Sequence, residues 1–196
     1  MIVQRIAVAA AVAAGLALLF AIPAFATGEI LGLITADDRK RLDDYNVTRS
    51  QALAESRHGD AAEIAVLAAL AAKPLSSFRD FEMTGDWQCR TIKVGGIGPL
   101  TIYDWFTCRV SDDGSGWRLQ KLTGSQRTAG RFFDDGDQRL IYLGSGFIAG
   151  DTALPYGAGP KTDQVGYAFR SGPRAWRIEF PAPHDESKLD ILELRR

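Results

Sequence analysis

This chain of 196 residues is poor in the side chains that most site chemistry needs. It has two cysteines and two histidines. Cys89 and Cys108, with no histidine near either, make a poor zinc set. Net charge is -1, and neither sign gathers into a long run, so there is no nucleic-acid footprint. A GxxxxGK[ST] phosphate loop is missing, and so is a G-x-S-x-G nucleophile elbow. No heptad pattern lasts long enough for a coiled coil. These absences lead us to expect no metal, no cofactor, no nucleic-acid partner and no enzyme.

What is present begins with export. Arg5 is the lone charge before Ile6 to Ile22, an almost wholly apolar run. Pro23 then precedes Ala24-Phe25-Ala26, an A-x-A cleavage site. The run is at the short end for a spanning helix, so it reads as a signal peptide, residues 1–26, cleaved after Ala26. No cysteine follows to take a lipid. The expected mature chain is one domain, 27–196, in the periplasm, with no stable membrane span. The full chain, with 46% hydrophobic and 24% charged residues, has enough apolar side chains for a sizeable core. In an oxidising compartment its two cysteines are expected to pair. Closing that loop stabilises by roughly 3 kcal/mol in the chain-entropy model.

Met83 to Val110 reads as a hairpin turning at Gly95-Gly96-Ile97-Gly98-Pro99. The register that sets Cys89 opposite Cys108 also sets Lys93 opposite Asp104, Thr91 opposite Phe106 and Trp87 opposite Val110. Each is a stabilising kind of cross-strand pair.

Before the hairpin, a helical cap is expected over 35–73. Thr35 caps a helix from Ala36 to about Tyr45, with Asp37 and Asp38 in its acidic first turn. Asn46-Val47-Thr48 reads as a break. Thr48 with Gln51 then caps a second helix, Arg49 to Arg57, and Gly59 stops it. Asp60 with Glu63 opens a third, Ala61 to Ala72, ended by Pro74. Its stripe of Ile64, Leu67 and Leu70 suits packing on a β domain. His58, at a helix end, suits the C-terminal dipole.

From residue 83 onward the texture is β. Strands are expected near Asp86–Val94, Leu100–Val110, Gly116–Thr123, Arg127–Phe133, Gln138–Gly144, Gln164–Arg170, Arg174–Phe180 and Leu189–Leu194. Asp112-Asp113-Gly114 and Asp134-Asp135-Gly136 are hairpin turns. Gly144 to Asp163 is the longest irregular stretch. The fold class is therefore α+β, mainly β: a short helical segment, then an eight-stranded antiparallel barrel-like domain. A two-sheet sandwich is the alternative.

Two polar clusters stand out. Lys121-Leu122-Thr123-Gly124-Ser125-Gln126-Arg127 joins two strands and suits either a turn or an anion contact. Pro183-His184-Asp185-Glu186-Ser187 holds Ser, His and acid together, but on one loop. Triad members normally come from separate elements. Arg90, Lys93, Arg109, Lys121, Arg127, Arg131 and Arg139 recur along the strands. They form a basic patch only if they converge.

Gly85-Asp86-Trp87 resembles the G-x-W signature that opens the barrel of lipocalins and related calycins. That resemblance implies a basic residue stacked on Trp87, either Arg195 or Arg177. A broader set of residues resembles an exported bacterial family catalogued as domain of unknown function 4893. The set includes Cys89-Arg90, Phe106-Thr107-Cys108-Arg109 and Lys121 to Arg127. It continues through Tyr142-Leu143-Gly144, Tyr156-Gly157 and Val165-Gly166-Tyr167. Trp176-Arg177, Pro183-His184, Glu186-Ser187 and Asp190 complete it. This resemblance implies export and a match along nearly the whole mature chain, and transfers no activity.

The leading expectation is a non-enzymatic barrel that binds a small ligand through Lys121, Ser125, Gln126, Arg127 and Tyr156. An interior sealed by Trp87, Phe106, Phe132 and Trp176 counts against it. The alternatives are an envelope protein-interaction module, such as a protease inhibitor, and a hydrolase built on His184 and Ser187.

Overall fold

The computed structural model describes residues 27–196, and the expected signal peptide lies outside them. Four short helices come first: α1 (Thr27–Leu33), α2 (Ala36–Asp43), α3 (Tyr45–Glu55) and α4 (Ala61–Ala71). Two caps form where the sequence places them. Thr35 accepts a hydrogen bond from the Asp38 N–H, and Asp60 accepts from those of Ala62 and Glu63. Two expectations fail. The lead-in folds as α1, and Asn46-Val47-Thr48 is helical, with the chain breaking at Asp44 instead. Weak helix propensity loses there to anchoring, because Tyr45 is buried and its hydroxyl donates to Glu179 at 2.7 Å.

The strands are β1 (Gly85–Val94), β2 (Leu100–Ile102), β3 (Phe106–Asp112), β4 (Trp117–Lys121) and β5 (Gln126–Asp134). They continue as β6 (Leu140–Ile148), β7 (Asp163–Gly172), β8 (Ala175–Pro181) and β9 (Leu189–Arg195). Each pairs antiparallel with the next along the sheet, and β9 returns to pair with β1. Strands β2 and β3 both lie against β1 as two halves of one broken strand, so the closed barrel has eight strands.

Cys89 and Cys108 form the disulfide, but the hairpin register differs from the expected one. Cys108 faces Trp87, Cys89 faces Phe106, and Lys93 faces Thr101 rather than Asp104. The cysteines meet diagonally, with Cα atoms 5.8 Å apart. The turn closes sooner than expected, with Val94 opposite Leu100, and a bulge then offsets the two halves of the hairpin by one residue. Arg90 and Thr91 on β1 lie opposite three residues, Tyr103-Asp104-Trp105, of which Tyr103 keeps one bond, its N–H donating to the Thr91 carbonyl at 3.0 Å. Trp105 swings out to stack under the guanidinium groups of Arg90 and Arg195. Against β3 the slip is two residues, which preserves the face each side chain takes, so both sulfurs still point inward; against β2 it is three.

Strand β6 also runs on to Ile148, past the expected stop at Gly144. Gly144 and its cross-strand partner Gly130 serve close approach here. The Tyr142 ring lies across both, and a Cβ on either would come within 2.6 Å of backbone carbonyl oxygens.

One end of the barrel is plugged. Phe78, Phe81 and Trp117 pack around Trp176, with ring centroids 5.8–6.4 Å away. Trp87 donates its indole N–H to the Met83 carbonyl and carries a stacked guanidinium. That stacking residue is Arg196, at 4.3 Å, and neither Arg195 nor Arg177. Arg196 is held there by the carbonyls of Glu82 and Thr84.

Much of the outer wall is covered as well. Ile92, Val94, Leu189 and Ile191 pack under Ala52, Leu67 and Leu70 of α3 and α4. Phe133, Leu143 and Val165 pack under Ile30 and Leu42 of α1 and α2. Beneath α3, Glu179 gathers the Tyr45 hydroxyl and the guanidinium groups of Arg49 and Arg177, each at 2.7 Å. This buried charge is paired and hydrogen-bonded, as its position demands.

Candidate functional site

Strand direction sorts the connections. The short turns after β3, β5 and β7 lie at the plugged end. Four others gather at the opposite end: 95–99, 122–125, 149–162 and 182–188. The two polar clusters of the sequence therefore meet at one barrel mouth. Between them opens a cleft of about 370 Å³ lined by Arg127, Gln126, Gln164, Asp190, Lys161 and His184, among others. A narrow recess of about 50 Å³ shares Gln126, Arg127, Gln164, Phe180 and Asp190 with it and reaches Lys121.

Lys121 ends β4 on the barrel's inner face and is 4% exposed. Its ammonium has one hydrogen bond, 3.3 Å to Thr91 Oγ1, and lies 4.4 Å from the Phe106 ring centroid. Burial pulls its pKa down to about 8; Asp190 opposes the shift, while Lys93 and Arg127 add to it. Arg127 is half-buried at the start of β5, its Nε donating to the Gly124 carbonyl at 3.1 Å. Among the described residues, no ion pair includes Lys121 or Arg127.

Gln126 joins them at the mouth. Ser125 sits exposed on the rim, where its carbonyl accepts the Ala149 N–H and ties two mouth loops together. Tyr156 is elsewhere. Its hydroxyl donates to Asp38 and accepts from the Thr35 N–H, clamping the long loop to the start of α2. Burial pushes its pKa up to about 12.

Three mouth groups escaped the sequence reading as site residues. Lys93 and Asp190 face each other across β1 and β9. Lys93 is ion-paired with Glu186. Burial works against its charge, but Glu186 and Asp190 outweigh it and hold the pKa above the ordinary value. Burial raises the Asp190 pKa, although the Ser187 hydroxyl donates to it at 2.5 Å. Gln164 accepts a hydrogen bond from Thr128, which also shares one with Tyr142. Counting alternate positions from Cys89 along β1 reaches Lys93. Asp190 stands out as a lone acid between Leu189 and Ile191. Glu186 and Ala182 both have positive φ, so the 182–188 loop holds its shape against local preference.

The remaining basic residues do not converge here. Arg109 pairs with Asp86, Arg131 with Asp113 and Arg139 with Asp135, and Arg90 pairs with Glu193. The Ser187 hydroxyl faces Asp190, and no hydrogen bond joins it to His184 among the described residues. No described group of three or more His, Cys, Asp or Glu residues is placed to hold a metal. No described helix is long and apolar enough to cross a membrane. Trp87, Phe132 and Trp176 fill the lower interior with Phe106 packed against them, which counts against a ligand inside the barrel and leaves its mouth as the place for one there.

The family model described as Domain of unknown function (DUF4893) matches residues 31–194, and the chain belongs to that family. No curated protein matches the chain, and neither does any solved structure.

Proposed function

We propose that this is an exported, non-enzymatic periplasmic protein that holds a small ligand in the mouth of its barrel. The apolar leader before Ala26 supports export. The observation that carries the binding reading is Lys121, an inward ammonium with one hydrogen bond and no ion-pair partner among the described residues. A buried charge left this way is costly, and a bound ligand offsets that cost. The cleft lies at the small end of the usual ligand-pocket range of about 300–1,000 Å³.

Native mass spectrometry of the mature chain, purified from periplasm without denaturant, tests this. The expected result is a stoichiometric small adduct that leaves on denaturation, on a chain starting at Thr27. A clean apo mass sinks the reading if no small molecule then binds.

One observation favours a second reading, docking of an envelope protein. Leu33 and Leu154 are each about half exposed and line a groove on the outer wall, which meets the mouth cleft at Leu154. Here Leu33→Asp abolishes capture of a specific partner, and Lys121→Gln leaves it unchanged. The opposite pattern favours the mouth.

A further inference from the structure

The ligand's chemical class can be read from which mouth groups are already engaged. Arg41 is committed to Asp38 at 2.8 Å, and Lys93 to Glu186. Uncommitted positive charge remains at Lys121 and Arg127, with Lys161 on the rim. Two of the three ammonium hydrogens of Lys121 and the two Nη groups of Arg127 are free to donate among the described residues. A point charge beside a planar fork is the arrangement that takes a carboxylate or phosphate.

Bare anions meet an obstacle, however. Asp190 lines both the cleft and the recess. Its Oδ1 accepts from Ser187, leaving Oδ2 to accept from something else. A carboxylate repels an acceptor-only anion but welcomes hydroxyl donors. Beside it, Gln164 has its oxygen taken by Thr128 and its amide hydrogens free, and Gln126 presents a second amide. Phe180 supplies an apolar wall. Arg127, two amides and acceptor carboxylates (Asp190, with Asp151, Asp163 and Asp185 also on the wall) around a cleft of about 370 Å³, with Lys121 in the adjoining recess, match a molecule of monosaccharide size with both an acid group and hydroxyls.

We infer that the ligand is a small hydroxylated anion, a sugar acid or sugar phosphate. Its charged group lies between Lys121 and Arg127, and its hydroxyls meet Asp190, Gln164 and Gln126. This inference rests on the binding reading above and adds the chemistry of the ligand to it. Carboxylate and phosphate share the recognition chemistry, and the experiment separates them.

The test is titration calorimetry of the folded mature chain with glucuronate, glucose 6-phosphate and glucose. The same titrations are run on Lys121→Gln, Arg127→Gln and Arg109→Gln. Arg109 is an exposed outer-wall cation paired with Asp86, so its variant controls for lost charge alone. The inference expects at least one acid to bind and glucose to bind at least tenfold more weakly. Which acid binds names the source of the charge. Lys121→Gln and Arg127→Gln each weaken that acid tenfold or more, and Arg109→Gln leaves it unchanged. Glucose binding as tightly as the acids overturns the inference, and so does acid binding that ignores both mouth variants. If no probe binds, the adduct from native mass spectrometry decides. An acidic polyol supports the inference, whereas a neutral or basic adduct overturns it and leaves the binding reading standing. With neither probe nor adduct bound, both fall.

Discussion

At one end of the barrel Trp176 is fully buried among Phe78, Phe81 and Trp117, and the chain's last residue, Arg196, is stacked over Trp87. At the other end the same strands deliver Lys121, Lys93, Thr128, Gln164 and Asp190 to the same inner face. Strand geometry does not force this difference, since alternation gives both ends inward positions. Side-chain choice creates it. The aromatic end minimises exposed apolar area, and the polar side chains it leaves without any partner are neutral: the Trp176 indole N–H and the Ser171 hydroxyl are buried with no hydrogen-bond partner among the described residues. The mouth buries ionisable groups that find only partial satisfaction inside the chain. Stability belongs to the first end, whose unpartnered side chains are neutral and sealed in, whereas a buried ammonium without an ion-pair partner beside an open cleft marks the second as the place where something else docks.

The most forceful way to break this contrast is to cut both ends. Trp176→Ala should cost about 3–5 kcal/mol, the usual range for losing a buried large aromatic. Gln126→Ala should stay within about 0.5 kcal/mol, as an exposed rim position does. Urea unfolding midpoints at matched m-values measure both. Equal losses would mean that the mouth is as much core as the plug, and the division would fail.

Next in size is the disulfide. Reduction, or the paired change Cys89→Ala with Cys108→Ala, should cost roughly 3 kcal/mol in the chain-entropy model. The crosslink ties the two strands beside the bulge at Tyr103-Asp104-Trp105. Guanidinium unfolding with and without reductant checks the figure. Gly130→Ala follows, at about 1–3 kcal/mol, because the new methyl meets the Leu143 carbonyl and the Tyr142 ring in a packed wall. A neutral result in thermal melts would show that the strands β5 and β6 separate easily there.

These elements were unequally legible in the sequence. Local signals were read well: the caps at Thr35 and Asp60, the hairpin turns and the cysteine pair each depend on a few adjacent residues. The bulge was not legible, because nothing in Tyr103-Asp104-Trp105 announces that three residues will face two. The stop at Gly144 was misread, since a glycine that admits a neighbouring ring looks in sequence like one that makes a turn. Strand β9 reads Leu-Asp-Ile-Leu-Glu-Leu, because its inner and outer faces are both covered, and alternation vanishes. The mouth was half visible. Lys121 and Arg127 are neighbours in sequence, whereas Lys93 and Asp190 meet only when β9 closes on β1. Tyr156 was drawn into the site by its glycine-rich loop, and the structure gives it the work of fastening that loop to α2.

The smallest expected effect also has the opposite sign. Lys121→Met replaces an incompletely satisfied ammonium with an apolar side chain of similar length, and should stabilise the ligand-free chain by up to about 1 kcal/mol near neutral pH. The pH dependence fixes the cause. Burial, modulated by Asp190, Lys93 and Arg127, holds the folded pKa at about 8, below the ordinary 10.5. Between those values the unfolded chain keeps a proton that the folded chain has released, so wild-type stability rises with pH across the window. Below about 8 both states are charged and the folded state carries the whole desolvation cost. The advantage of Met should therefore be largest below pH 8 and vanish above 10.5. Urea midpoints for both proteins across that range decide it. A loss as deep as that of Trp176→Ala would show Lys121 to be a satisfied part of the core, and the unfinished chemistry of the mouth would have to be sought at Arg127 instead.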